Sequence, residues 1–227
     1  FLNNLYVRAK DLRFLHYAFF PLHSEPEVTL NVYSKSHLNQ IEAIRLFSHN
    51  LPVGLKLVVK EHPWSIGKRP LSYYRKLLDI PNVMIAHPSL KSRELISNSR
   101  LITVISGSIG FEALMLKKPV VVLGRAPFNF LPKSMIRHAD SPGRLGNDIR
   151  DLLERYEYNE EALLSYISAV IKESVPVDFY SKLLGRKGTY SPTPAKRDRE
   201  AQESERIKHI NLLARYIVRR LDEIKSQ

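Results

Sequence analysis

From about Tyr17 to Gly124, short apolar runs alternate with longer stretches of helical period. HYAFF, LKLVV, NVMIA, LITVI and PVVVL are each brief, rich in β-branched or aromatic side chains, and bounded by Pro, Gly or polar residues. Each predicts a buried strand. The segments between them, Ser36 to His49, Leu71 to Leu78, Lys91 to Asn98 and Ser108 to Leu116, predict helices. Five strands separated by helices predict βαβ units, and hence an α/β fold with a doubly wound parallel sheet.

After Gly124 the pattern loosens into a loop, RAPFNFLPKSMIRHADSPGRLG, followed by two helical stretches, about Leu145 to Tyr156 and Glu160 to Ser174. GRKGTYSPTPAKRDRE has the Gly, Pro and charge content of an exposed connection. The last helix carries Ile207, Ile210, Ala214, Ile217, Leu221 and Ile224 at three- and four-residue steps, a stripe that needs a surface to pack on. A neighbouring protein surface and an anionic membrane face both suit it. The organisation expected is a remnant or linker over residues 1–16, an α/β domain over 17–180, and a basic linker with an amphipathic helix over 181–227. Position 1 is Phe, so a preceding N-terminal domain is expected outside this sequence.

Composition narrows the class. A 44% hydrophobic content over 227 residues suits a soluble globular core. No apolar run approaches the roughly 20 residues of a bilayer crossing. No signal-peptide pattern opens the sequence, and the absence of cysteine excludes disulfides and thiolate metal sites, in keeping with a reducing cytoplasm. The net charge is +12, and half of that excess lies in residues 182–227, with 12 Lys and Arg against 6 Asp and Glu. An anionic partner is expected: nucleic acid, a phospholipid surface or a phosphorylated small molecule. Against nucleic acid, that tail has only Tyr190 and Tyr216 as aromatics and no recognisable nucleic-acid motif.

In an open parallel sheet the ligand crevice lies at the carboxyl ends of the strands, where strand order reverses. For the order 3-2-1-4-5, that point falls between HYAFF and LITVI, and three polar loops converge there. SGSIGFEAL turns from strand to helix through Ser106, Gly107 and Ser108; its free N–H groups and two hydroxyls make a phosphate cradle. Glu112 lies one helical turn after Ser108 on the same face, where it can accept from ribose hydroxyls. The alternative is a tight turn with a capping Ser and a solvated Glu. VVKEHPW places Lys60 and His62 to pair with a phosphate or carboxylate and Pro63 to fix their loop; alternatively these are surface charges. His87-Pro88 repeats the dipeptide farther from the switch point, without the Lys-Glu pair, so His-Pro alone carries little. PLHSEPE supplies His23, Glu25 and Glu27 as candidate acids, bases or sugar ligands, or as an exposed Pro-rich loop. No metal-ligand spacing, GxxxxGK[ST] loop or GxGxxG fingerprint is present, which argues against metal, ATPase and dehydrogenase chemistry.

The series FFPLHSEPE, LPVGLKLVVKEHP, PNVMIAHP and TVISGSIGFEALMLKKPVVVLG, in that order, resembles the capsule polysaccharide biosynthesis family, which includes retaining Kdo transferases. The resemblance covers residues 17–132. It implies a GT-B glycosyltransferase, of which this chain is the Rossmann-like, C-terminal donor-binding half, with CMP-Kdo as donor. It also implies His62, Pro63 and Ser106 to Ser108 near the nucleotide phosphate and Glu112 near ribose. The turn reads Ser-Gly-Ser where many relatives have a Thr-Gly-Thr type. The expected reaction transfers a sugar to a lipid-linked or other glycan acceptor of the cell surface, without metal or cofactor, from the cytoplasm or its inner-membrane face. A UDP-sugar transferase or nucleotide-sugar epimerase of similar fold, and a basic module without catalysis, are the alternatives.

Overall fold

A computed structural model describes residues 5–25, 30–31, 34, 38–139, 141–178 and 199–225. Its centre is a parallel sheet of seven strands: β1 (Tyr6–Val7), β2 (Tyr17–Pro21), β3 (Lys56–Lys60), β4 (Val83–Ala86), β5 (Leu101–Val104), β6 (Val120–Val122) and β7 (Ile136–His138). The spatial order is β1-β4-β3-β2-β5-β6-β7. The five predicted strands thus stand in the expected 3-2-1-4-5 arrangement, with an extra strand at each edge. Strand order reverses between β2 and β5, which pair in parallel through Ala18 to Leu101 and Phe19 to Ile102.

The central strands are buried on both faces, which is why they read as continuous apolar runs. Ala18, Phe20, Leu57, Val59, Leu101 and Val121 belong to a core cluster on one face; Phe19, Val58, Ile102 and Val104, also fully buried, alternate with them and line the other. The flanking helices are α1 (Ala9–Leu12), α2 (Gln40–Asn50), α3 (Leu71–Leu78), α4 (Ser92–Asn98), α5 (Ser108–Met115) and α6 (Leu145–Glu154). Helix α2 starts where Asn39 accepts the N–H groups of Ile41 (3.1 Å) and Glu42 (3.4 Å), four residues inside the stretch expected from Ser36. Residues 36 and 37 lie outside the described residues.

Two edge strands differ from expectation. Residues 6–7, assigned by sequence to a leading remnant, pair with Ile85 and Ala86 of β4. Strand β7 lies inside the stretch read as loop, and Ile136 pairs with Val120. At two and three residues, neither is long enough to display a period.

Internal contacts divide the chain into residues 1–166 and 167–227, a break inside α7 (Glu160–Lys172) rather than at residue 181. The second unit contains α8 (Arg199–Lys225). Within that unit Tyr216 Oη donates to the Glu173 carbonyl at 3.2 Å, and Arg220 lies 3.4 Å from the Glu173 carboxylate. The stripe residues Ile207, Ile210, Ile217, Leu221 and Ile224 remain 42–66% exposed. Of the linker expected at 185–200, residues 185–198 fall outside the described residues, and Arg199 and Glu200 open α8.

Candidate functional site

The loops leaving β2, β3 and β5 meet at the carboxyl edge of the sheet, and strand register sorts their side chains into two sides. Lys60 is paired with Pro21, and Phe19 is paired with both Val58 and Ile102. Side chains in register project to the same face and alternate along each strand, so Lys60, Pro21 and Val104 share a side. Helix α5 covers that side: a Cβ built on Gly110 would lie 3.3 Å from Val104 Cγ2. His23, two residues beyond Pro21, continues the row, and its Cε1 lies 3.3 Å from where a Gly107 Cβ would stand.

Gly107 is the N-cap of α5, with φ +106° and ψ 170° and no side-chain cap. This conformation is open to glycine and strained for other residues. The chain thereby leaves β5 and enters α5 with no side chain among the described residues capping the helix's first N–H groups. Ser108 is exposed in the first turn, and Glu112, one turn later on the same face, is half-buried. Neither side chain has a partner among the described residues. Ser106 differs from expectation: its hydroxyl is buried and donates to the Arg125 carbonyl at 2.9 Å. It ties the turn to the segment after β6, so one of the two expected cradle hydroxyls has its proton committed to the backbone. Gly110 admits an aromatic ring rather than backbone, since its Cβ would fall 2.7 Å from Phe128 Cζ.

KEHP divides between the two sides. Lys60 ends β3 with 4% exposure, and its carbonyl accepts the Leu22 N–H at 2.8 Å. Its ammonium has no acceptor among the described residues, and burial pulls its pKa below the ordinary lysine value, an effect the neighbouring Glu61 charge opposes. Glu61 points to the opposite face and is 2% exposed, so neither is the surface charge of the alternative reading. The Glu61 carboxylate accepts from Tyr74 Oη (2.9 Å) and from the His62 N–H (2.8 Å) and lies 3.0 Å from Arg69 Nε. That Arg69 contact is an ion pair, with its N–H not aligned for a hydrogen bond. Burial first, then the bond to Glu61, raises the Tyr74 hydroxyl pKa. His62 is half-buried, and exposed Pro63 opens a single 3-10 turn, Pro63–Ser65, closed by the Ser65 N–H to the His62 carbonyl at 2.9 Å. The control pair behaves differently: His87 Nδ1 accepts the Ser89 N–H at 3.2 Å in a local turn, and its ring meets Tyr6 edge-on.

The loop after β2 is held from outside. His23 is buried, and Glu25 is bound by Gln40 and by Arg69. Glu27 lies outside the described residues. Sequence reasoning missed Arg69, Gln40 and Tyr74, which connect these loops. Among the described residues no group of three or more His, Asp or Glu could hold a metal ion, and no helix is long and apolar enough to cross a membrane.

Residues 17–141, more than half the chain, match the model of a family described as capsule polysaccharide biosynthesis protein. Protein FixF of Sinorhizobium fredii (strain NBRC 101917 / NGR234) is 36% identical over 92 residues, covering 39% of this chain and 20% of FixF. Thermosulfurimonas dismutans KpsC, β-Kdo 2,7 transferase, aligns with a TM-score of 0.45 at 17% identity, over 70% of this chain and 55% of that structure. UDP-GlcNAc 2-epimerase from Methanocaldococcus jannaschii aligns with a TM-score of 0.46 at 16% identity, over 75% and 48%. The chain thus spans a fifth of FixF and about half of each of these structures.

Proposed function

The chain belongs to the capsule polysaccharide biosynthesis protein family, and from that premise we propose that its α/β unit binds the nucleotide-sugar donor of a glycosyltransferase. The donor proposed is CMP-Kdo, and the acceptor a lipid-linked or other surface glycan reached from the cytoplasmic face of the inner membrane. One observation carries the reading. At the switch point, the uncapped start of α5, the Lys60 ammonium and the His23 ring lie on one side of the sheet, while the buried Glu61 carboxylate is turned to the other.

Departure of a nucleoside monophosphate leaves negative charge on its phosphate. Lys60, the first N–H groups of α5 and the Ser108 hydroxyl stabilise that charge as it develops, with His62 at the rim. Glu112 accepts from the ribose hydroxyls. Ser106 and Pro63 act as supports for the turn and the loop. Of the three candidate acid-base groups, His23 faces this side, and Glu25 is occupied as a brace. A further domain supplies the acceptor site and the remaining catalytic groups. With cationic and N–H groups opposite the phosphate, donor binding requires neither a divalent cation nor a cofactor.

The test is thermal shift of the full chain with CMP, UDP and GDP, followed by calorimetry of CMP with and without EDTA. A ligand at about 100 times its Kd stabilises by about 2.7 kcal/mol. CMP is expected to raise Tm more than UDP or GDP, with an affinity that chelation leaves unchanged. A larger shift with UDP would favour a UDP-sugar transferase or epimerase. No nucleotide shift, together with heparin binding that survives mutation of the crevice, would favour a basic binding module.

A further inference from the structure

The main chain of His23 is held by side chains that do not belong to its own loop. Arg69, its side chain 9% exposed, reaches three places at once. Its Nη2 donates to the His23 carbonyl at 2.6 Å, its Nη1 lies 3.4 Å from Glu25 Oε2, and its Nε lies 3.0 Å from Glu61 Oε2. The guanidinium also stacks 4.5 Å from the centroid of the Tyr73 ring. From the other direction the fully buried Gln40 accepts the His23 N–H at 2.7 Å and donates to the His23 carbonyl at 3.2 Å and to Glu25. Both main-chain polar groups of one loop residue are therefore fixed by two buried side chains, and the Ser65 hydroxyl adds a 3.2 Å contact to Ser24. At the far end of the same residue, Cε1 lies 3.3 Å from where a Gly107 Cβ would stand.

We propose that Arg69 is a positioning residue of the donor site: its guanidinium, with Gln40, locks the loop after β2 so that the His23 imidazole is held against the Gly107 turn before the donor arrives. The inference rests on the reading that this turn receives the donor phosphate. Its physical basis is preorganisation. A loop fixed in advance spends no binding energy on ordering itself, and a group displaced by about 1 Å from its productive place loses much of its effect. The choice of arginine follows from geometry. A planar fork with five donors serves carbonyl, carboxylate and ring face together, whereas a lysine ammonium, a single point charge, satisfies only part of the set.

A merely structural brace would lower stability and leave His23 out of the energetics, so the test couples the two residues. CMP affinity is measured by calorimetry for the full chain, Arg69→Lys, His23→Ala and the double variant, with Gln40→Met as a second way to release the loop should Arg69→Lys not fold. Arg69→Lys is expected to weaken CMP about tenfold, the worth of one hydrogen bond to a charged group. In the His23→Ala background the same substitution is expected to cost less than about twofold, because interacting residues are non-additive. An equal loss in both backgrounds, or no loss in the first, overturns the proposal. NMR of the histidine ring signals, without ligand, reads positioning independently. One sharp His23 signal in the parent that broadens or moves in Arg69→Lys or Gln40→Met supports it, and an unmoved signal overturns it. If the parent chain binds no CMP, the donor reading falls and the ring signals alone decide the positioning claim.

Discussion

Lys60→Met separates what Lys60 costs the fold from what it gives the ligand. The residue is 4% exposed at the end of β3, and among the described residues its ammonium has no hydrogen-bond acceptor, the Glu61 charge acting on it through space. Methionine has a similar unbranched shape and no charge. Replacing buried ionic groups by apolar ones of similar volume ranges from neutral to stabilising by about 1–4 kcal/mol. For a single lysine at the rim of a crevice we expect about 1–2 kcal/mol. At about 2–4 °C per kcal/mol for a chain of this size, Tm should rise by roughly 2–8 °C.

The pH dependence has a defined sign. Burial lowers the folded-state pKa of Lys60, so between that value and the ordinary lysine range the unfolded chain binds more protons, and parent stability rises with pH. The advantage of Lys60→Met should therefore be greatest near neutral pH and shrink at about pH 9.5. For the donor the change is opposite. Loss of a hydrogen bond to a charged phosphate costs about 1.5–3 kcal/mol, or roughly 10- to 150-fold in CMP affinity. Thermal melts at the two pH values and calorimetry with CMP test both halves. A variant that melts lower than the parent and binds CMP equally well would refute the reasoning.

Two glycines give independent checks. Gly107→Ala forces a Cβ into a backbone conformation suited to glycine and to 3.3 Å from His23 Cε1. It should cost about 1–3 kcal/mol in urea unfolding and weaken CMP binding, and unchanged stability would show that the turn relaxes freely. Gly110→Ala drives a methyl to 2.7 Å from Phe128 Cζ and should cost about 1–3 kcal/mol. Adding Phe128→Leu should recover part of that loss in the same assay, and no recovery would place the strain elsewhere.

The fold was legible because its strands are covered on both sides. Phe19 and Phe20 face opposite layers and are both fully buried, so β2 appears in the sequence as an uninterrupted apolar run. Strands β1 and β7 left no such trace, being two and three residues long. The convergence of the loops followed from topology, since every βα loop of a parallel sheet leaves from the same edge. What holds those loops together was not legible. Arg69 reaches His23 across 46 residues, and Ser106 reaches Arg125 across 19. Bonds between irregular segments so far apart impose no period and no local spacing, and Gln40 at the first position of α2 resembles any polar helix start.

The alternation at the end of β3 makes the polarity of the crevice a matter of odd and even positions. Lys60 and Glu61 are chemical opposites on adjacent residues, and the pleat alone decides which of them is turned toward the α5 side. A one-residue insertion or deletion within Lys56–Lys60 would leave composition and net charge almost untouched, yet it would turn the anion toward α5 and the cation into the Tyr74–Arg69 pocket. The surface proposed to hold the donor phosphate would then repel it, so single-residue indels in this strand should be far more damaging to CMP binding than substitutions within it.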